Sequence, residues 1–201
     1  GRMGPVVVAL PENILHEDGG PAPVRPVVAA RAALDPAFVA EVKARLARAE
    51  RPMLILGGSG WTDAATDAIS DWAERLGLPV ALSFRRKDLI RNDHPGYAGD
   101  LGLGPNPKLV ARVKDADLLL VIGARMGENP TQGYTLLDRT KTAQTLIHIH
   151  PGPEELGRVW APALSAAADN SLAALALSAI EPGRTWGEQG AAAHADFLSI
   201  G

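Results

Sequence analysis

Three groups of residues have the types and spacing to do chemistry. Gly57, Gly58, Ser59 and Gly60 follow an apolar run over 53–56 and lead into Trp61, Thr62 and Asp63, where an amphipathic pattern begins. Glycine accepts positive φ and lets a ligand approach the backbone closely. A helix start just beyond would offer unpaired N–H groups and positive dipole to a phosphate. Gly123 ends a second apolar run over 118–122 and is followed by Arg125, a side chain that can clamp a phosphate bidentately or stack on a ring. His148 and His150 lie two apart in an alternating run over 145–150, so a strand would turn both to one face, where they could meet a metal or a ribose. Each group also has a plainer reading: a tight turn without ligand, a surface arginine, and histidines hydrogen-bonded at a strand end. A metal would need a third ligand, and the sequence identifies none.

Other chemistries are excluded by the same residues. A dinucleotide fingerprint would need glycines at 58, 60 and 63, but position 63 is Asp. The acidic residue expected at the end of the second strand is missing as well, because that strand closes on Leu82, Ser83 and Phe84. A nicotinamide dehydrogenase is therefore disfavoured. No Gly-x-Ser-x-Gly, Walker A or His-Glu-x-x-His segment is present. The chain has no cysteine, which removes disulfides, thiolate catalysis and Cys-ligated metals and suits a cytoplasmic setting. His94 sits in a polar turn, Asn92-Asp93-His94-Pro95-Gly96, where a structural role is expected.

These residues must be held by strands and helices. Asp35 followed by Pro36 is a helix start, with Phe38, Val42, Leu46 and Ala49 at helical spacing. After the first strand, Ala65, Ala68, Ile69, Trp72, Ala73 and Leu76 give one apolar helical face, Asp71 and Arg75 form an i,i+4 pair, and Gly77 ends the helix. A second strand is expected over 78–83, a short helix over 108–114, and further strands over 117–122, 145–150 and 163–168. Asn170 is expected to cap a helix carrying Leu172, Leu175, Ala176 and Ile180. Residues 85–107 read as irregular, long enough either to carry function or to contain short helices. Strands separated by helices at this spacing predict an α/β fold, a doubly wound parallel sheet of five or six strands in three layers.

The ends read differently. Val6, Val7, Val8 and Leu10 make a β-prone run at the very start, the pattern of a strand that finishes a preceding domain, and two glycines and three prolines follow within 16–26. The expected organisation is the end of a preceding domain plus linker over 1–25, a central nucleotide-binding-like domain over 26–182, and a linker helix over 183–201. In 201 residues, 20 Lys and Arg against 23 Asp and Glu give a net charge of −3. No basic run suggests nucleic acid, and no apolar run reaches the ~20 residues of a membrane span.

The order of the segments is itself informative. Gly4 to Glu12, Arg51-Pro52-Met53-Leu54-Ile55-Leu56-Gly57-Gly58, Leu76-Gly77-Leu78-Pro79, Asn92-Asp93-His94-Pro95, Gly99-Asp100-Leu101-Gly102, the run from Asp115 to Arg125, and Ile147-His148-Ile149-His150-Pro151 occur in series. In that order the chain resembles the central domain of thiamine-diphosphate-dependent enzymes of the acetolactate synthase and benzoylformate decarboxylase type. The resemblance implies a six-stranded parallel sheet whose cleft holds FAD, ADP or another nucleotide in some members and nothing in others. It also implies that thiamine diphosphate and Mg2+ are held by pyrimidine- and diphosphate-binding domains outside this segment. The parent would join or cleave carbon–carbon bonds beside a keto group as a homo-oligomer, and this segment alone would be inactive. Such synthases carry Ile-Asp-Ile-Asp-Pro where this chain has His148 and His150, so an acidic ribose partner is lost. The cleft expected from this reading is lined by Gly58, Ser59, Gly60, Arg125, His148 and His150. The alternative is a free-standing nucleotide-binding module of sirtuin or electron-transfer-flavoprotein type.

Overall fold

The first helix of any length, and the strand after it, follow directly from local chemistry. A computed structural model describes residues 4–20, 23, 25–139 and 143–199. A single short turn of helix, α1 (Glu12–Leu15), precedes α2 (Pro36–Arg48). The Asp35 carboxylate accepts the Ala37 N–H at 2.7 Å, Pro36 occupies the first helical position, and Val42 and Leu46 bury the inner face. β1 (Pro52–Leu56) is buried along its whole length, as a central parallel strand covered on both faces must be.

α3 (Asp63–Leu76) buries Ala65, Ile69, Trp72, Ala73 and Leu76 and stops at Gly77, whose φ of 68° is left-handed. β2 (Val80–Ser83), β3 (Tyr97–Leu101), α4 (Pro107–Asp115), β4 (Leu118–Ile122), β5 (Thr145–His150), β6 (Leu164–Ala167), α5 (Asn170–Ser178) and α6 (Gly187–Leu198) complete the chain. The six strands form one sheet in the order β3-β2-β1-β4-β5-β6, all parallel. Period-two alternation divides β1 between two cores: Leu54 and Leu56 pack toward α3 and α5, and Met53 and Ile55 toward α4 and α6. Asp117 joins the start of β4 to the start of β1, its carboxylate accepting the N–H groups of Glu50 at 2.6 Å and Arg51 at 2.9 Å.

The architecture is the expected one, with several local corrections. The β-prone run at 6–10 forms no strand: Val6 is 86% and Val7 92% exposed, and no neighbouring strand pairs with them. Strand propensity without a hydrogen-bonding partner does not make a strand. The stretch expected to be irregular contains the edge strand β3, where Gly99 at φ 107° accompanies a register shift against β2. Arg75 turns away from Asp71 and pairs with Glu181 at 2.6 Å. Asp169, one residue before Asn170, caps α5 by accepting the Leu172 N–H. The buried face of α5 is accordingly Ala173, Ala174 and Leu177, while Leu175 is exposed.

The helix expected as a linker, α6, packs against β3 and α4. Gly190 and Ala193 are buried, Phe197 meets the Tyr97 ring edge-on at 4.7 Å, and Asp196 pairs with both Arg112 and Lys108. Just before it, the buried Trp186 donates its indole N–H to Ala49 O at 3.1 Å. Among the described residues no helix is long and apolar enough to cross a membrane.

Candidate nucleotide-binding cleft

The sheet order places a topological switch between β1 and β4, because the connections leave these two neighbours in opposite directions. A crevice must open there at the carboxyl ends of the strands. A cleft of about 700 Å³ occupies that position, in the size range of small-molecule sites. Gly58 and Ser59 reach it from β1, Ser83 from β2, Gly123 and Arg125 from β4, and His150 from β5.

The wall over β1 and β4 is two glycine turns packed against each other. Gly58 has φ 72° and Gly123 has φ 73°. A Cβ on Gly58 would lie 2.2 Å from Gly123 O, and one on Gly123 would lie 2.4 Å from Gly57 O. Both positions therefore need glycine for backbone conformation and for close approach. The first residues of α5 lock the turn from outside: Asn170 Nδ2 donates to Ser59 O at 2.8 Å, and Ser171 Oγ donates to Gly60 O at 2.9 Å. Ser171 Oγ also accepts the Thr62 N–H at 2.9 Å, and the Trp61 indole N–H folds back onto Gly57 O at 2.8 Å.

This locking changes the expected anion site. The Thr62 N–H just before α3 is taken by Ser171, and Gly60 faces open space outside the cleft lining. The surface left for a phosphate is the backbone of Gly58 and Ser59 opposite Gly123, with Arg125 beside it. Arg125 is exposed and has no hydrogen-bond or ion-pair partner among the described residues. Arg85, Arg86 and Arg158 add positive charge around the cleft, against Glu128 and Glu155. Arg86 is held by Asp88, and the Arg85 guanidinium lies 5.1 Å from the Phe84 ring centroid. The excess of arginine favours an anionic ligand.

The two histidines share a strand face, with ring centroids 6.1 Å apart, yet they do different things. His148 is 3% exposed, and its Nε2 lies 2.9 Å from Ala124 O. A carbonyl can only accept, so Nε2 carries the proton. Burial pushes the pKa of His148 below its ordinary value, outweighing the Ala124 bond, and the neighbouring His150 lowers it further. This ring props the β4 turn and does not line the cleft. His150 does line it. Its Nδ1 lies 3.0 Å from Gly152 N and 2.9 Å from Gly152 O, an N–H it accepts in one tautomer and a carbonyl it donates to in the other. Both rings are engaged by backbone, and neither is set up as half of a metal site. His94 has the structural role expected of it, accepting the Gly96 N–H at 3.0 Å with Nε2 3.1 Å from Ser70 O.

The structure thus brings Gly58, Ser59, Arg125 and His150 to one cleft and leaves Gly60 and His148 outside it. It adds residues that the sequence did not single out. Phe84 and Tyr134 supply apolar surface, and Glu155 supplies a buried carboxylate. The only sequence signal for Glu155 was the acidic pair after Pro153, which reads like any solvated turn.

Comparison with known proteins agrees with this geometry. The family described as thiamine pyrophosphate enzyme, central domain, matches residues 39–177. The large subunit of acetolactate synthase isozyme 2 from Escherichia coli K12 is 27% identical over 79% of this chain and 28% of its own length. The acetolactate synthase large subunit of Parasynechococcus marenigrum is 29% identical over 79% of this chain and 26% of its own. Among solved structures, the thiamine diphosphate-dependent 4-hydroxybenzoylformate decarboxylase of Rhodococcus jostii RHA1 shares the fold with a TM-score of 0.60 at 23% identity, over 81% of this chain and 30% of that one. The chain therefore spans less than a third of the length of these proteins. The reading as a free-standing sirtuin-like or electron-transfer-flavoprotein-like module finds no support in these matches. The family match over residues 39–177, which takes in β1 to β6, means that the chain belongs to the thiamine pyrophosphate enzyme central-domain family.

Proposed function

We propose that this chain is the middle, organising domain of a thiamine-diphosphate-dependent enzyme that joins or cleaves carbon–carbon bonds of 2-keto acids, and that its cleft holds FAD or ADP. The observation that carries the nucleotide part is the cleft itself: backbone turns at Gly58 and Gly123 and the unpartnered Arg125 converge at the carboxyl ends of the strands. The residues present fit such a ligand. The diphosphate would lie on the turns beside Arg125, and Phe84 or Tyr134 would offer a flat apolar surface to a ring. Thiamine diphosphate with Mg2+ supplies the carbanion chemistry when bound by the flanking pyrimidine- and diphosphate-binding domains, and no residue of this chain is assigned to it. In this reading the parent works in the cytoplasm as a homo-oligomer, without nucleic acid or membrane as partner. The domain over 26–182 then sits between a segment over 1–25 that finishes the preceding domain and one over 183–201 that leads to the next.

Thermal unfolding of the chain with and without FAD and ADP tests the cleft. A ligand present at 100 times its Kd stabilises the native state by about 2.7 kcal/mol, a readily measured rise in Tm. An unchanged Tm with both nucleotides at millimolar concentration removes the nucleotide part of the proposal and leaves the organising role.

A further inference from the structure

Glu155 is the one buried carboxylate among the described residues, 7% exposed, and its acceptor capacity is unspent. No hydrogen bond reaches its side chain from a described residue, and the Arg158 guanidinium stands 3.9 Å away, too far for one. Neither carboxylate oxygen is among the buried atoms left without a partner, so the group keeps contact with solvent at the cleft and is free to accept a donor there. The side chain borders two spaces at once. On one side is the cleft, and on the other a cavity of about 10 Å³, room for about one water, lined also by His148 and Trp160. The Trp160 indole N–H is buried and has no partner among the described residues. His148, whose Nε2–H is committed to Ala124 O, keeps an acceptor at Nδ1. One bridging water there would take the Trp160 proton and donate to Glu155, fixing the carboxylate from behind while its other lone pairs face the cleft.

The rest of the cleft offers donors: the glycine-turn amides and Arg125. What a nucleotide needs besides these is an acceptor for its ribose hydroxyls, the task the sequence leaves open at His148 and His150. We propose that Glu155, steadied through Trp160, is that acceptor and makes the cleft selective for a nucleotide with an intact ribose diol. The proposal rests on the nucleotide reading above. A carboxylate takes both hydroxyl protons of a cis-diol, whereas a dideoxyribose would displace the water around it and offer no donor in return.

Calorimetric titration of the full chain with ADP and with 2′,3′-dideoxy-ADP separates the two ideas. The expected result is ADP binding at least about tenfold tighter than the dideoxy analogue. That ratio should collapse toward one in Glu155→Gln, with affinity for dideoxy-ADP kept or raised, and should shrink partway in Trp160→Phe. The thermal unfolding of each variant confirms that it is folded. Equal affinity of the wild type for both ligands, or an undiminished ratio in a folded Glu155→Gln, overturns the assignment of Glu155 while leaving the nucleotide cleft standing. Binding of neither ligand to the wild type overturns the nucleotide reading and this inference with it.

Discussion

The two walls of the cleft are built on opposite principles. Over β1 and β4, two glycine turns meet at distances that admit no side chain, and Asn170, Ser171 and Trp61 tie up their carbonyls. Over β5, the wall carries polar side chains, His150 and the Glu155 carboxylate, and the unpartnered Trp160 N–H lies behind it in the adjoining cavity. The glycine wall supplies shape, and the β5 wall supplies choice. A glycine-rich turn is therefore explained first by the packing of one backbone on another, and ligand specificity is to be sought among the less conspicuous residues across from it.

The largest effect should come from forcing a side chain into the glycine wall. Gly123→Ala places a Cβ against Gly57 O at φ 73°, and overpacking plus left-handed strain should destabilise the chain by about 3 kcal/mol in urea unfolding. Gly60→Ala, at φ 83° but facing open space, should cost only about 1 kcal/mol. Equal losses at the two positions would break the view that contact between the turns, rather than backbone conformation alone, demands glycine.

A smaller effect sharpens the account of the β5 wall. Burial holds the pKa of His148 below its ordinary value of 6.5, so the unfolded chain binds this proton more readily than the folded one. Stability from this residue is complete above that value and falls as pH drops below it. Urea midpoints measured from pH 7.5 to 5 should therefore decline. The decline should be shallower in His148→Gln, which keeps a side-chain N–H for Ala124 O. An unchanged slope would mean that the ring charges freely in place. The smallest effect is expected away from both walls: the Arg75–Glu181 pair is solvent-exposed, and Arg75→Ala should change stability by less than about 1 kcal/mol.

Much of the scaffold was legible because its patterns are local. β1 and β4 are uninterrupted apolar runs, α3 has one clean apolar face and a glycine stop, and Asp35-Pro36 announces a helix. β3 was not legible, because Gly99 and Asp100 interrupt its alternation and its strand character comes from pairing with β2. The β-prone run at 6–10 shows the converse, propensity with nothing beside it to pair with. The cap of α5 falls on Asp169 because that carboxylate, which also binds Arg31, reaches the Leu172 N–H. In the site, alternation put His148 and His150 on one face, but it could not tell that Ala124 O would claim one ring and the cleft the other. Gly60 left the site through Ser171, a residue 111 positions away in the chain. Glu155 was hidden for the same reason: its burial is made by the fold of the turn after β5 and by Trp160, and no local pattern records either.

The Asp117 clamp also bears on how the chain reaches this structure. Every pair of neighbouring strands is parallel, so no hairpin can nucleate the sheet, and its two halves join only along β1 and β4. Asp117 grips that seam across 66 residues of chain, at the Arg51 amide. Loop-closure entropy for such a separation is lost before any contact at the seam compensates for it, which places this domain among the slow folders. The same seam is the natural line along which a late intermediate would part, with β1, β2 and β3 on one side and β4, β5 and β6 on the other.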